Sequence, residues 1–95
     1  MIANKVYIAG KITGLENFKG LFEKAEIDLK SKGYVCMNPA RLTEGFTHVE
    51  YMHVCTAMID ICDTVYMLNN WEDSKGAKYE NYYAIKKDKD IIYEL

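Results

Sequence analysis

At 95 residues, 49% of them hydrophobic, the chain is long enough for one globular domain with one core, numbered 1–95 throughout. A net charge of −2 and an isoelectric point near 5.6 argue against a nucleic-acid polymer as partner, because such binders carry a basic stripe. No apolar run approaches the ~18 residues of a membrane span, and the chain runs straight into a strand pattern, so neither a span nor a signal peptide is expected and the location is read as cytoplasmic.

Lys5–Ala9 (KVYIA) reads as a buried strand that stops at Gly10. Gly10–Gly14 is a loop with a glycine at each end. Phe18, Leu21, Phe22, Ala25 and Leu29 then repeat at helical spacing, and Gly33 supplies the stop. Tyr34–Met37 is a second strand, broken by Asn38-Pro39-Ala40 because proline lacks a backbone donor and restrains its predecessor. Thr47 and Glu50 fit a capping box, which predicts a helix from Thr47 to Cys62.

That helix carries two apolar stripes. The main one is Tyr51, Val54, Cys55, Met58, Ile61 and Cys62; the second is Val49, Met52, Thr56 and Ile59. One sheet cannot cover both, so a homodimer or larger assembly is expected. Thr64–Leu68 is a third strand and Asn69–Asp73 a polar loop around Trp71. Ser74 is a good N-cap for a third helix to about Lys87, and Asp90–Glu94 is a last strand.

The order β-α-β-α-β-α-β predicts a small three-layer Rossmann- or flavodoxin-like α/β sandwich around a four-stranded parallel sheet. Right-handed crossovers bring Gly10–Gly14, Asn38–Arg41 and Asn69–Gly76 to one edge, at the strand C-termini, where ligands of open α/β sheets bind.

Glu80 is the most informative residue at that edge. It shares a helix face with Ala77 and Ala84, whose small size suggests close packing on the sheet. Gly76, Ala77, Tyr83 and Ala84, its helical neighbours, include no cation. A carboxylate on a packed face needs a partner from elsewhere, whereas a shifted helix phase leaves it in solvent.

Ser74 opens the same helix, where free amides and the dipole favour an anion, although an ordinary cap accounts for a serine there. Gly76 permits close backbone approach. Lys11 and Thr13 can hold a phosphate or sugar hydroxyl, Arg41 can pair with phosphate, and Trp71 can stack on a base or seal the core. Each has an ordinary reading as a solvated or packing residue.

His48, His53 and Cys55 lack metal-ligand geometry, so no metal and no cofactor is expected. Cys36, Cys55 and Cys62 lie in apolar runs and read as reduced thiols.

Tyr7-Ile8-Ala9-Gly10, Asp63 before the third strand, and Ser74-Lys75-Gly76-Ala77-Lys78-Tyr79-Glu80 together resemble the nucleoside 2-deoxyribosyltransferase superfamily, which includes deoxynucleoside 5′-monophosphate N-glycosidases. Gly10-Lys11-Ile12-Thr13-Gly14, Asn38-Pro39-Ala40 and Trp71-Glu72-x-Ser74-x-Gly76-Ala77-x-x-Glu80 are more similar still to a family of small uncharacterised phage and bacterial relatives of those enzymes.

The resemblance implies that Glu80 attacks the anomeric carbon of a sugar while the base leaves, through a glycosyl-enzyme like that of retaining glycosidases. It implies that Tyr7 holds that carboxylate and Ser74 a 5′-phosphate. Gly10, Lys11, Thr13, Asn38, Arg41, Trp71 and Gly76 are the further candidates for substrate contact. It also implies a neighbouring subunit at the site, and a bacterial host cell if the chain is phage-encoded. One departure stands out: the enzymes carry an aspartate eight residues before the position of Asp63, and this chain has Cys55 there.

Two functions follow. One is an N-glycosidase or deoxyribosyltransferase acting on a nucleoside or its 5′-monophosphate. The other is a binding protein that sequesters a nucleotide or nucleotide-derived signal without turnover.

Overall fold

A computed structural model describes residues 4–95. The strands are β1 (Lys5–Ala9), β2 (Val35–Met37), β3 (Thr64–Met67) and β4 (Asp90–Tyr93), and the helices α1 (Phe18–Ser31), α2 (His48–Ile61) and α3 (Lys75–Lys86). All strand pairings are parallel, in the order β2-β1-β3-β4. The expected α/β sandwich is therefore present, with ends displaced by a residue or two. Two 3-10 turns were not expected: Pro39–Arg41 after β2 and Trp71–Asp73 before α3.

Alternation along β1 divides the core between the two sheet faces. Val6 and Ile8 meet Phe22, Ala25 and Leu29 of α1. Tyr7 and Ala9, beside Val65 and Met67 of β3, meet Cys55, Met58 and Ile59 of α2 and Ala77 and Ala84 of α3. The two alanines let α3 lie close to the sheet. Gly10 is required where β1 ends, because a Cβ there would fall 2.6 Å from Leu68 Cδ1 and 2.9 Å from its Cβ. Gly33 takes φ +94 and turns the chain from α1 into β2.

The Thr47–Glu50 capping box forms in both directions: Thr47 N donates to Glu50 Oε1 at 2.8 Å and Glu50 N to Thr47 Oγ1 at 3.2 Å. The expected stripes of α2 are displaced. Ile59, assigned to the second stripe, is fully buried, while Val54 and Ile61 of the main stripe are exposed. The buried set is Cys55, Met58 and Ile59, because α2 shares its sheet face with α3 and presents a narrow seam. Val54 and Ile61 of α2, and Tyr79, Tyr82 and Ile85 of α3, remain on the outside. Among the described residues no helix is long and apolar enough to cross a membrane.

Candidate functional site

At the C-terminal edge of the sheet lies a cleft of about 810 Å³. Its floor is Tyr7 from β1, Cys55 from α2 and Glu80 from α3. One side is mainly apolar, formed by Ile12, Phe18, Phe22, Pro39, Ala40 and Leu42 beside the Lys19–Glu44 ion pair. The other is mixed: His48, Ser74, Lys75 and Gly76 with Tyr51 and Met52, and Lys11 and Thr13 from the loop after β1.

Glu80 is 6% exposed and Tyr7 1%. Helical phase explains the first: Glu80 follows Ala77 by three residues and precedes Ala84 by four, and all three face the sheet. Strand alternation explains the second, since Tyr7 points to the α2/α3 side. The Tyr7 hydroxyl donates to Glu80 Oε2 at 2.7 Å, so the partner that Glu80 lacks on its own helix comes from a strand 73 positions away.

Burial pushes the Glu80 carboxyl up to about 7, against the lowering effect of hydrogen bonding from Tyr7 and Cys55. Burial, and then the charge of Glu80, hold the Tyr7 phenol well above its ordinary range, so it remains a donor. Burial and the neighbouring carboxylate push the Cys55 thiol up to about 11, which keeps it neutral. The floor is thus one carboxylate, balanced between its two protonation states near neutral pH, between two neutral hydrogen-bonding groups.

Ser74 caps α3, its Oγ accepting from Ala77 N at 3.1 Å, and Lys75 and Gly76, the first two residues of the helix, line the cleft. A Cβ on Gly76 would lie 3.5 Å from Met52 Sδ and 3.6 Å from His48 Cε1, so glycine relieves no clash there and widens the cleft instead. Lys11 and Thr13 line the cleft, and Lys11 N donates to Asn70 Oδ1 at 3.0 Å.

Three candidates sit elsewhere. Arg41, expected to face a phosphate, pairs through Nε with Glu26 Oε1 at 3.0 Å and lines a separate, smaller polar cleft. Asn38 lines that second cleft as well, donating to the same carboxylate oxygen at 2.9 Å. Trp71 packs against Tyr93, with ring centroids 5.9 Å apart, and seals the edge of the α3 core. The cause is shared: the loops after β2 and β3 each tighten into a 3-10 turn, which carries these side chains away from the opening.

Sequence reasoning passed over His48 and Tyr51 as cleft residues. The capping box suffices to place His48 in the first turn of α2, but not to say which way that turn faces. The three cysteines are free, and no group of three or more His, Cys, Asp or Glu among the described residues is arranged to hold a metal.

A 2-desoxiribosyltransferase from Leishmania mexicana has the same fold, with a TM-score of 0.75 and 21% sequence identity over 95% of this chain and 63% of that one. This chain therefore spans under two thirds of that protein's length. Among curated proteins none matches. A family profile does match, over residues 4–93, and on that match the chain belongs to the family described as Domain of unknown function (DUF4406).

Proposed function

We propose that the cleft binds a deoxynucleoside or its 5′-monophosphate, and that Glu80 attacks the anomeric carbon of the sugar. One observation carries the reading: a buried carboxylate, held by Tyr7 at 2.7 Å, faces an open cleft of nucleotide-compatible size. A structural carboxylate would be paired with a cation. This one is held by neutral groups instead, the Tyr7 hydroxyl on Oε2 and the Cys55 thiol beside it, which do not cancel its charge when it ionises.

In the ionised state Glu80 forms a bond to the anomeric carbon as the bond to the base nitrogen breaks. The electron pair leaves with the base, which takes up a proton from solvent, and the attacking water or second base gives one back in the next step. Water, or a second base, then attacks the same carbon and releases Glu80 as carboxylate. Tyr7 holds one carboxylate oxygen and so aims the other. The apolar side of the cleft suits a base. The start of α3, with Ser74 and Lys75, suits a 5′-phosphate, with Lys11 and Thr13 beside it.

The domain, 1–95, acts as one unit in this reading. The exposed Val54, Ile61, Tyr79, Tyr82 and Ile85 support a homodimer, for which light scattering at micromolar concentration is the check.

A second reading has one specific support. Cys55 supplies no charge beside Glu80, and a cleft with a single carboxylate has little to protonate a departing base. In that reading the protein sequesters its nucleotide intact.

Incubation with a panel of deoxynucleosides and their 5′-monophosphates, followed by mass spectrometry, decides between them. Released base that disappears in Glu80→Gln, while ligand is still retained, supports catalysis. Ligand recovered uncleaved after long incubation removes it.

A further inference from the structure

Outside the cleft floor, a second carboxylate is buried. Glu26 on α1 is 4% exposed. Its Oε2 takes the Lys30 ammonium at 2.8 Å, one turn along the same helix. Its Oε1 takes two donors from the other side: Asn38 Nδ2 at 2.9 Å and Arg41 Nε at 3.0 Å. Asn38 in turn accepts from Ala40 N, through Oδ1, at 2.9 Å. The carboxylate therefore ties α1 to both ends of the turn that follows β2.

That turn forms part of the cleft. Pro39, Ala40 and Leu42 lie on its apolar side, while Asn38 and Arg41 point away toward Glu26. The sheet gives the turn little support. β2 has three residues and lies at the edge, paired only with β1. A short edge strand does little to fix the segment after it, and two charge-assisted bonds to one buried carboxylate, from Asn38 and Arg41, add to the packing of Pro39 and Ala40 in holding the turn.

We infer that Glu26 is a positioning residue for the ligand, setting the apolar side of the cleft by anchoring the Asn38–Arg41 turn from behind. The inference rests on the proposed nucleotide-binding reading for its effect on affinity, but not for its effect on the turn. Because Glu26 acts on the side opposite Ser74 and does not touch Glu80, it governs binding rather than bond cleavage.

The test is Glu26→Gln in the full chain, with Lys30→Ala as a control that removes only the bond within α1. Hydrogen exchange at the Ala40 amide reports the turn without any ligand. Calorimetry with the four common deoxynucleoside 5′-monophosphates reports affinity, and where base is released the kinetics separate KM from kcat. Glu26→Gln should speed exchange at Ala40 and weaken binding, or raise KM, by about tenfold each, with kcat changed less than about twofold. Lys30→Ala should leave exchange and affinity unchanged.

A Glu26→Gln protein with a lower melting temperature but normal Ala40 exchange and normal affinity would overturn the inference, as a purely structural role predicts that result. If the wild type binds none of the four probes, the nucleotide reading fails, and exchange at Ala40 alone decides the role of Glu26. Should Glu26→Gln not fold, Arg41→Ala must give the same pattern at smaller size, and a null result there refutes the inference.

Discussion

Replacing Tyr7 with phenylalanine removes one oxygen atom and leaves the ring in the core. The lost interaction is the 2.7 Å hydrogen bond to Glu80. A hydrogen bond to an ionised group contributes roughly 1.5–3 kcal/mol, and each 1.36 kcal/mol of preference for the charged form is about one pKa unit. The bond now works against burial, which already holds Glu80 at about 7. Its removal should raise that value by about one to two units. At pH 7 the ionised fraction then falls from about half to roughly 1–10%. Since the carboxylate is the proposed nucleophile, base release should rise with pH through about 7 in the wild type, and through about 8–9 in Tyr7→Phe. At pH 7 the variant should be about five- to fiftyfold slower, and the gap should narrow as pH rises to about 9.5. The assay is initial base release from the best deoxynucleoside monophosphate across pH 5.5–9.5, a range of about four units chosen to bracket both midpoints. A variant that is slower by the same factor at every pH would refute the argument, because the tyrosine would then act on geometry alone.

Other substitutions test neighbouring parts of the site. Cys55→Asp places a second carboxylate beside Glu80. The pH midpoint of base release should move up by about a unit and the plateau rate should increase; an unmoved midpoint would show that residue 55 does not sense Glu80. Ser74→Val removes the α3 cap and its hydroxyl, so monophosphate binding should weaken about tenfold more than nucleoside binding by calorimetry. Equal losses would mean that Ser74 does not read phosphate. Gly10→Ala forces a Cβ against Leu68 and should lower stability by about 1–3 kcal/mol in urea titration, and unchanged stability would show that Leu68 yields freely.

The fold was legible because each local signal had one cheap reading. Strand runs ended at Gly10 and Pro39, and two N-caps, Thr47 and Ser74, lay where apolar periodicity began. The position of Glu80 was legible for a related reason: Ala77 and Ala84 bracket it on one face, and small residues on a helix face mark close packing. The partner of Glu80 was not legible from local pattern, since Tyr7 is 73 positions away and only the sheet brings them together. Nor was the course of the loops. Asn38, Arg41 and Trp71 lie in the expected segments, but side-chain direction in a 3-10 turn follows from which buried acceptor or ring the turn finds. Glu26 gave no signal at all, because a glutamate four residues before Lys30 is an ordinary surface pair in sequence.

The two buried carboxylates act on stability in opposite directions, and that opposition is measurable. Burial alone would raise Glu26, but the bonds from Lys30, Asn38 and Arg41 outweigh it and lower the value to about 2. A depressed value means that the folded state favours the charge. Its contribution is full above the ordinary carboxylate range and is lost as pH falls toward 2. Glu80 is raised to about 7, so between about 4.5 and 7 the folded state holds a proton that the unfolded chain releases. Stability should therefore fall as pH rises through that interval, by about 3 kcal/mol in all. Glu80→Gln cannot ionise and escapes that loss. Its melting temperature should match the wild type near pH 4.5 and exceed it by several degrees at pH 8, with the gap opening between those values. This is the pattern of a group retained for chemistry at the expense of the fold. If instead the variant melts below the wild type at pH 8, ionised Glu80 is a stabilising group, and the case for its being a nucleophile held ready in a cleft is lost.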